Sequence, residues 1–345
     1  MKKNISMMAY NVENLFDAVD DGEDQLEVTF LPLAEKQRRG KKLCASKAGF
    51  FRILCQKLDW TDAKYQVKLK KISEVLLDYE GGADIIVFEE LENRRVLEDL
   101  WVKYLIQHGY RVPIHFESPD SRGIDVGMIS RFPLTEDPIA HPVYLGMGNQ
   151  TGTRDILEAT FDIGTGQRLR VAANHWPSQA NSTKARMKAA NVVKTISKKA
   201  AKDGVSFIAA GDFNTILAEN PNPIQDNIAD NDLDRMSRSI VDLHCFLEEK
   251  GTPISGTHFY KGHMSWDALD RILVSKDLFR SQKTQVDLET FEVFAPDYLL
   301  VRETLRDPRT NQLREYTIPY RYDFFNDQGY SDHLPLVLKL NLSSS

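Results

Sequence analysis

The sequence holds little of what marks a disulfide-stapled, membrane-spanning or metal-finger protein. Only three cysteines, Cys44, Cys55 and Cys245, occur in 345 residues, too few and odd in number for a disulfide framework. Cys44 and Cys55 have no His or third Cys beside them, so the pattern does not point to a zinc site. A reducing, cytoplasmic setting fits this usage. No apolar run approaches the roughly 18 residues that cross a bilayer, so no transmembrane segment is expected. Met1-Lys2-Lys3 opens like a basic leader, but Asn11, Glu13 and Asn14 interrupt the apolar stretch behind it; secretion stays open only through a leader already removed. There is no His-Glu-x-x-His helix, which leaves a zinc protease without support. Helix-turn-helix, zinc-finger and RNA-recognition patterns are missing too, so no element reads bases.

Internal repeats, low-complexity tracts and Pro/Gly/Ser linkers are also lacking. With 42% hydrophobic residues, a chain of this length can bury a large core as one unit, and residues 1–345 read as a single domain, expected to be a monomer. Short β-type runs recur at Ser6-Tyr10, Asp84-Phe88, Val126-Ser130, Leu169-Ala173, Ser206-Ala210, Arg271-Val274 and Leu336-Leu340. Between them lie helical patterns: Lys68, Ile72, Val75, Leu76 and Tyr79 recur at three- and four-residue spacing, and Thr183 to Lys202 reads as a long basic amphipathic helix. Strands alternating with helices argue for an α/β fold. Residues 31–71 stand out, with twelve Lys/Arg against three acids in a chain of net charge −6. They read as a basic insertion, either a solvated helix or an electrostatic arm for a polyanion.

Polar residues gather where the strands end. The first strand runs into Asn11-Val12-Glu13-Asn14, and Ile85-Ile86-Val87-Phe88 into Glu89-Glu90. Ala173 is followed by Asn174-His175-Trp176-Pro177-Ser178, and Ala210 by Gly211-Asp212-Phe213-Asn214. Asp270 opens another strand, and Ser331-Asp332-His333-Leu334-Pro335 leads into the last. Ligands collect at strand ends because loops converge there while strands hold them rigidly. Hard oxygen donors such as Glu90 and Asp332 suit Mg2+ or Mn2+. A phosphodiester needs an activated water, neutralised nonbridging oxygens and help for its leaving oxygen. His175 and His333 can donate to phosphate or move protons, with Asp270 holding one imidazole in its tautomer. Asp212 can position or deprotonate water, and the amides of Asn11 and Asn214 can orient it.

These pieces, in this order from Tyr10-Asn11-Val12-Glu13-Asn14-Leu15-Phe16 to Ser331-Asp332-His333, resemble the endonuclease/exonuclease/phosphatase superfamily, of the deoxyribonuclease I type, in its bacterial nuclease branch. The resemblance implies a four-layer αββα sandwich, two mixed β-sheets packed face to face with helices outside. It also implies an Mg2+- or Mn2+-dependent phosphoric ester hydrolase. By resemblance Asn11 contacts metal or phosphate, Glu90 is the principal metal ligand and Asp332 completes the metal site. The family usually has Gln-Glu where this chain has Glu89-Glu90, so the resemblance leaves open which Glu binds. His175 would hydrogen-bond phosphate, Asp212 and Asn214 would position the water, and Asp270 would pair with His333. Arg122, in Ser121-Arg122-Gly123-Ile124-Asp125-Val126, would sit near phosphate with Asp125 as its partner. Trp176 and Pro177 would shape their loop, and Glu13 and Asn14 would tie the first one.

The substrate expectation is nucleic acid, DNA first, cut by an endonuclease or exonuclease through backbone contacts without base reading. His175-Trp176-Pro177-Ser178 and the basic helix behind it carry this expectation, with Lys184 and Arg186 as backbone contacts. The competing enzyme is a phosphatase or phosphodiesterase of inositol phosphates, phospholipid head groups or small nucleotides, and an inactive binding module is a third class. His258 and His263, in a Gly-rich loop before Asp270, read as surface loop, with substrate contact as the alternative, and His108, His115, His141 and His244 have no supporting pattern.

Overall fold

A computed structural model describes residues 4–343 apart from 23–25, 41–42, 46, 48, 147–151, 165 and 235–239. Lys2 and Lys3 of the leader-like start, and Lys41 and Lys42 of the basic stretch, lie outside the described residues. The first sheet contains β1 (Asn4–Leu15), β2 (Ile85–Leu91), β3 (Ile114–His115), β4 (Asp125–Ser130), β13 (Thr284–Val293) and β16 (Leu336–Leu342), in the order β13-β16-β1-β2-β4-β3. The second contains β5 (Ile139–His141), β6 (Ile156–Gly164), β7 (Gln167–His175), β8 (Ser206–Asp212), β9 (Ile240–Asp242) and β12 (Asp270–Ser275), in the order β5-β6-β7-β8-β12-β9. Two hairpins, β10 (His258–Tyr260) with β11 (Ser265–Asp267) and β14 (Leu300–Arg306) with β15 (Leu313–Pro319), stand outside the sheets. The helices are α1 (Leu33–Arg39), α2 (Gly49–Lys57), α3 (Asp62–Asp78), α4 (Arg94–Leu100), α5 (Thr183–Lys202), α6 (Leu243–Glu249) and α7 (Asp277–Arg280).

The layering follows from the two-residue period of a strand, which sends neighbouring side chains to opposite faces. Met7 and Ala9 of β1 join Val87, Ala173, Ile208, Ile272 and Leu338 in the core between the sheets. Met8 and Tyr10 face the other way, against Leu69, Ile72 and Leu76 of α3 and Leu97 of α4. On the far side, Ala172, Phe207 and Ala209 pack on Ala189, Val193 and Ile196 of α5. Both faces of the central strands of each sheet are therefore buried, and the chain is a four-layer αββα sandwich.

Two expectations change. Cys44 and Cys55 form a disulfide, because the turn at 43–45 folds back on α2 and brings their Cα atoms to 5.8 Å. Spacing alone does not reveal such a turn, and the pairing removes the cysteine argument for a reducing compartment. Cys245 stays free, its thiol pushed up to about 12 by burial and the Asp242 charge. The basic stretch is not wholly peripheral either. From Asp62 it becomes α3, capped by Thr61 and seated on the first sheet. Lys36 is buried, donating to the carbonyls of Thr29 and Leu58. Among the described residues no helix is long and apolar enough to cross a membrane.

Candidate active site

Strand register assembles the site. The parallel β1–β2 pairing sets Asn11 opposite Glu89. In the second sheet, β7–β8 sets His175 opposite Asp212, and β8–β12 sets Asp212 opposite Asp270. The two rows face each other across one end of the sandwich, where the sheets come close. At Gly211, φ is +129°, and a Cβ there would meet Asn174 O at 2.1 Å and Glu89 Oε1 at 2.6 Å. Gly211→Ala should therefore destabilise the fold by about 3 kcal/mol, from combined backbone strain and overpacking. Denaturant unfolding measures it, and an unchanged midpoint would show that the sheets can part here without cost.

The backbone turns sharply where it delivers these side chains. Glu13, Asn14, Glu90 and Asn214 all have positive φ, between 47° and 64°. Such strain in non-glycine residues persists only where surrounding contacts hold it. The register shift between Glu89 and Leu91 separates the two glutamates. Glu90 turns to the opening, accepts from Asn14 N at 2.9 Å and lies 4.0 Å from His175 Nε2. Glu89 points between the sheets, fully buried, and neither of its oxygens has a hydrogen-bond partner among the described residues. Burial and the charges of Asp270 and Asp212 hold its carboxyl far above the usual range.

Asp212 is the hub. It accepts from Asn11 Nδ2 at 3.3 Å and from the Asn214 backbone N at 2.8 Å, and its Oδ2 lies 3.6 Å from His175 Nε2. Asn214 donates its own amide to Trp176 O at 3.0 Å. His333 Nδ1 donates to Asp270 Oδ2 at 2.7 Å, and Thr257 Oγ1 donates to the same oxygen. The two imidazoles differ in charge. Burial opposes a proton on His333, but Asp270 outweighs it and holds the ring well above its ordinary value. Burial and then Arg154 and Arg122 hold His175 far below its own, so that ring is neutral. Asp332 is anchored by its backbone N donating to Glu13 Oε2 at 3.1 Å, and its carboxylate lies 3.6 Å from Arg321.

Sequence reasoning missed Arg321, Lys68 and Arg154. Arg321 donates to Glu13 and balances Asp332. Lys68, buried in α3, donates to the carbonyls of Glu13 and Asn14 and sits over the rings of Tyr322 and Phe324. Arg154 donates to the carbonyls of His175 and Trp176 and to Asp120, tying the two loops together. No local motif surrounds any of the three.

Several expected roles move. Arg186 is buried in a 2.6 Å ion pair with Glu219 and donates to Ser178 O, so it holds the 177–181 loop and is not offered to a substrate backbone. Lys184 is exposed in the first turn of α5. Arg122 pairs with Asp120 instead of Asp125, whose Oδ1 accepts from Ser118. Arg122 lines a cleft of about 440 Å³ with Asp120, Arg154, Pro177, Ser178 and Asn181, on the His175 side. His258 is not a plain surface residue: its ring lies 4.9 Å from that of His333, and it lines a cavity of about 270 Å³ with Tyr260, Arg321 and Asp332. His263 remains exposed. Trp176 is buried, its Nε1 donating to Asn174 Oδ1, with the ring packed on Phe213.

The donor set suits a hard divalent cation. Carboxylates of Glu13, Glu89, Glu90, Asp212, Asp270 and Asp332 crowd one end of the sandwich. Their repulsion adds to burial in pushing Glu13 up to about 8 and Asp212 up to about 7. One oxygen of Asp270 is buried without a hydrogen-bond partner among the described residues. Donor atoms of Asp212, Asp270 and His333 lie within 4.8 Å of one another. A divalent ion would relieve the crowding of these carboxylates.

Oxygen donors that suit a metal, two imidazoles of opposite protonation and an arginine-lined cleft nearby make this end of the sandwich the candidate site for chemistry on phosphoric esters. The chain belongs to the endonuclease/exonuclease/phosphatase family, whose model matches residues 6–342. Members of that superfamily are phosphoric ester hydrolases that generally use divalent metals. No curated protein sequence matches the chain. Solved structures with the same fold include the human Nocturnin catalytic domain with bound sulfate, at TM-score 0.55 and 15% identity, covering 99% of this chain and 96% of that one. D. rerio TDP2 complexed with a single-strand DNA product matches at 0.53 and 15%, covering 99% and 100%. A mannosyl-6-phosphatase of Bacteroides thetaiotaomicron matches at 0.53 and 14%, covering 97% and 99%.

Proposed function

We propose that the chain is an Mg2+- or Mn2+-dependent phosphodiesterase whose substrate is nucleic acid, with DNA first. The observation that carries this reading is the pair of cavities flanking the metal-type residues. One lies on the His175 side under Arg122, the other on the His333 side beside His258 and Arg321. A diester carries a group on each side of its phosphorus, and two lobes accommodate both. Solved relatives complexed with a DNA product or carrying bound sulfate support the choice.

Glu90, Asp332 and Asn11 would hold the ion, which supplies charge neutralisation for the phosphate and a lowered water pKa. Asp212, oriented by Asn11 and Asn214, positions the attacking water and takes up its proton. His333, kept protonated by Asp270, donates to a phosphate oxygen as negative charge builds. Neutral His175 orients the phosphate from the opposite side, and Arg122 binds the flanking phosphate or sugar. The sequence carries no base-reading motif, so cutting should show little sequence preference.

The test is nicking of supercoiled plasmid with Mg2+ or Mn2+, run beside phosphate release from a sugar monophosphate and from inositol phosphates. Nicking that chelator abolishes is the expected result. Intact plasmid together with phosphate release from a small monoester would replace the nuclease reading with a phosphatase, as the mannosyl-6-phosphatase relative illustrates.

A further inference from the structure

A second group of metal-type side chains lies outside the Glu90–Asp332 centre, at the edge of the first sheet. The β3–β4 pairing sets His115 opposite Gly127, so His115 and Asp125, two residues before Gly127, emerge on the same side of the pair. Glu117 follows His115 by two residues, and its Oε1 lies 3.7 Å from His115 Nδ1. Donor atoms of His115, Glu117 and Asp125 lie within 4.8 Å of one another. The imidazole is 1% exposed, and its Nε2 has no hydrogen-bond partner among the described residues. That nitrogen is aimed at Asp125 Oδ2, 3.4 Å away, while Asp125 Oδ1 is already occupied by the backbone N of Ser118 at 3.0 Å. Asp155, close enough to feel the Asp125 charge, has a buried Oδ1 that is likewise without a hydrogen-bond partner.

A buried imidazole nitrogen left unpaired beside carboxylates is costly as it stands and is satisfied by a cation. The spacing is informative about which cation. Zinc bonds of about 2.0–2.1 Å in a tetrahedron put neighbouring donor atoms about 3.3–3.4 Å apart, the separation of His115 Nε2 and Asp125 Oδ2. One nitrogen and two carboxylates favour zinc over magnesium, which takes oxygen donors almost alone.

We propose that His115, Glu117 and Asp125 form a structural zinc site, with water as fourth ligand. Glu117 and Asp125 bracket the loop that carries Asp120 and Arg122 into the cleft. Zinc there clips both ends of the loop to the sheet edge and fixes where Arg122 stands. The site shares no residue with the Glu90–Asp332 centre, although Asp125 pairs across the sheet with Leu91 beside Glu90, and it needs no phosphate chemistry.

The experiment counts zinc in the full chain carrying Glu90→Gln and Asp332→Asn, which suppress binding at the other centre. After stripping and reloading, this chain should retain one zinc equivalent and unfold at a higher temperature with zinc than without. Adding Glu117→Gln, at a residue 65% exposed in its side chain and so safe for folding, should weaken zinc by about tenfold or more, since loss of a direct ligand exceeds an outer-shell change. Adding His115→Gln instead should abolish binding. Zinc affinity unchanged by Glu117→Gln, or no zinc retained by the parent, overturns the proposal.

Discussion

Replacing Glu90 by glutamine should lower turnover by about a thousandfold or more, the rate equivalent of the several kcal/mol that a catalytic metal supplies. Folding should survive, with stability within about 1 kcal/mol of the parent. The amide oxygen can still accept from Asn14 N, the contact that now holds Glu90 at 2.9 Å, and the positive-φ turn is as open to glutamine as to glutamate. What disappears is the negative charge at the mouth of the site. Calorimetric titration with Mg2+ should show the weakened affinity directly. Glu89→Gln is the control, because the superfamily commonly carries glutamine there and Glu89 points between the sheets instead of at the opening. If Glu90→Gln left magnesium affinity unchanged and Glu89→Gln destroyed it, the two glutamates would have exchanged roles.

His333→Ala should lower turnover by about a hundred- to ten-thousandfold, the range of a general acid or base, while metal affinity holds. The ring's second nitrogen is occupied by Asp270 at 2.7 Å, so its other side is left for the phosphate. Asp270→Asn should act in the same direction by removing the charge that keeps the imidazole protonated. Because Asp270 works through His333, the double variant should be little worse than His333→Ala alone. Two losses that multiply would show instead that Asp270 acts independently, through its unpaired oxygen or through the metal.

Much of the fold was legible along the chain. All seven strand runs and both helical patterns of the sequence are present, because a buried strand or an amphipathic helix writes its period into consecutive residues. Of the strands without such a run, β13 to β15 carry alternating or charged patterns on half-exposed faces. The disulfide was not legible, since pairing depends on a turn at 43–45 that no repeat encodes.

The candidate site divides in the same way. Asn11, Glu90, His175, Asp212, Asp270 and His333 stood out because each follows or opens an apolar strand, where a polar residue has no reason in packing. Arg186 misled because a cation on a basic helix looks solvated in one dimension, whereas Glu219, 33 residues away, buries it. The contacts of Lys68, Arg154, Arg321 and His258 were not legible because their partners come from distant segments: Arg321 meets Glu13 across 308 residues.

By itself, then, the sequence determined the strands, the helices and the chemical types gathered at the strand ends, since these are local consequences of periodicity and of where polarity interrupts it; the four-layer sandwich was implied only by the family resemblance. Only the tertiary structure decided which glutamate faces the opening, which arginines line the cavities and which brace loops, and that His115, Glu117 and Asp125 meet. Those outcomes depend on register and loop closure, which set distances between residues far apart in the chain.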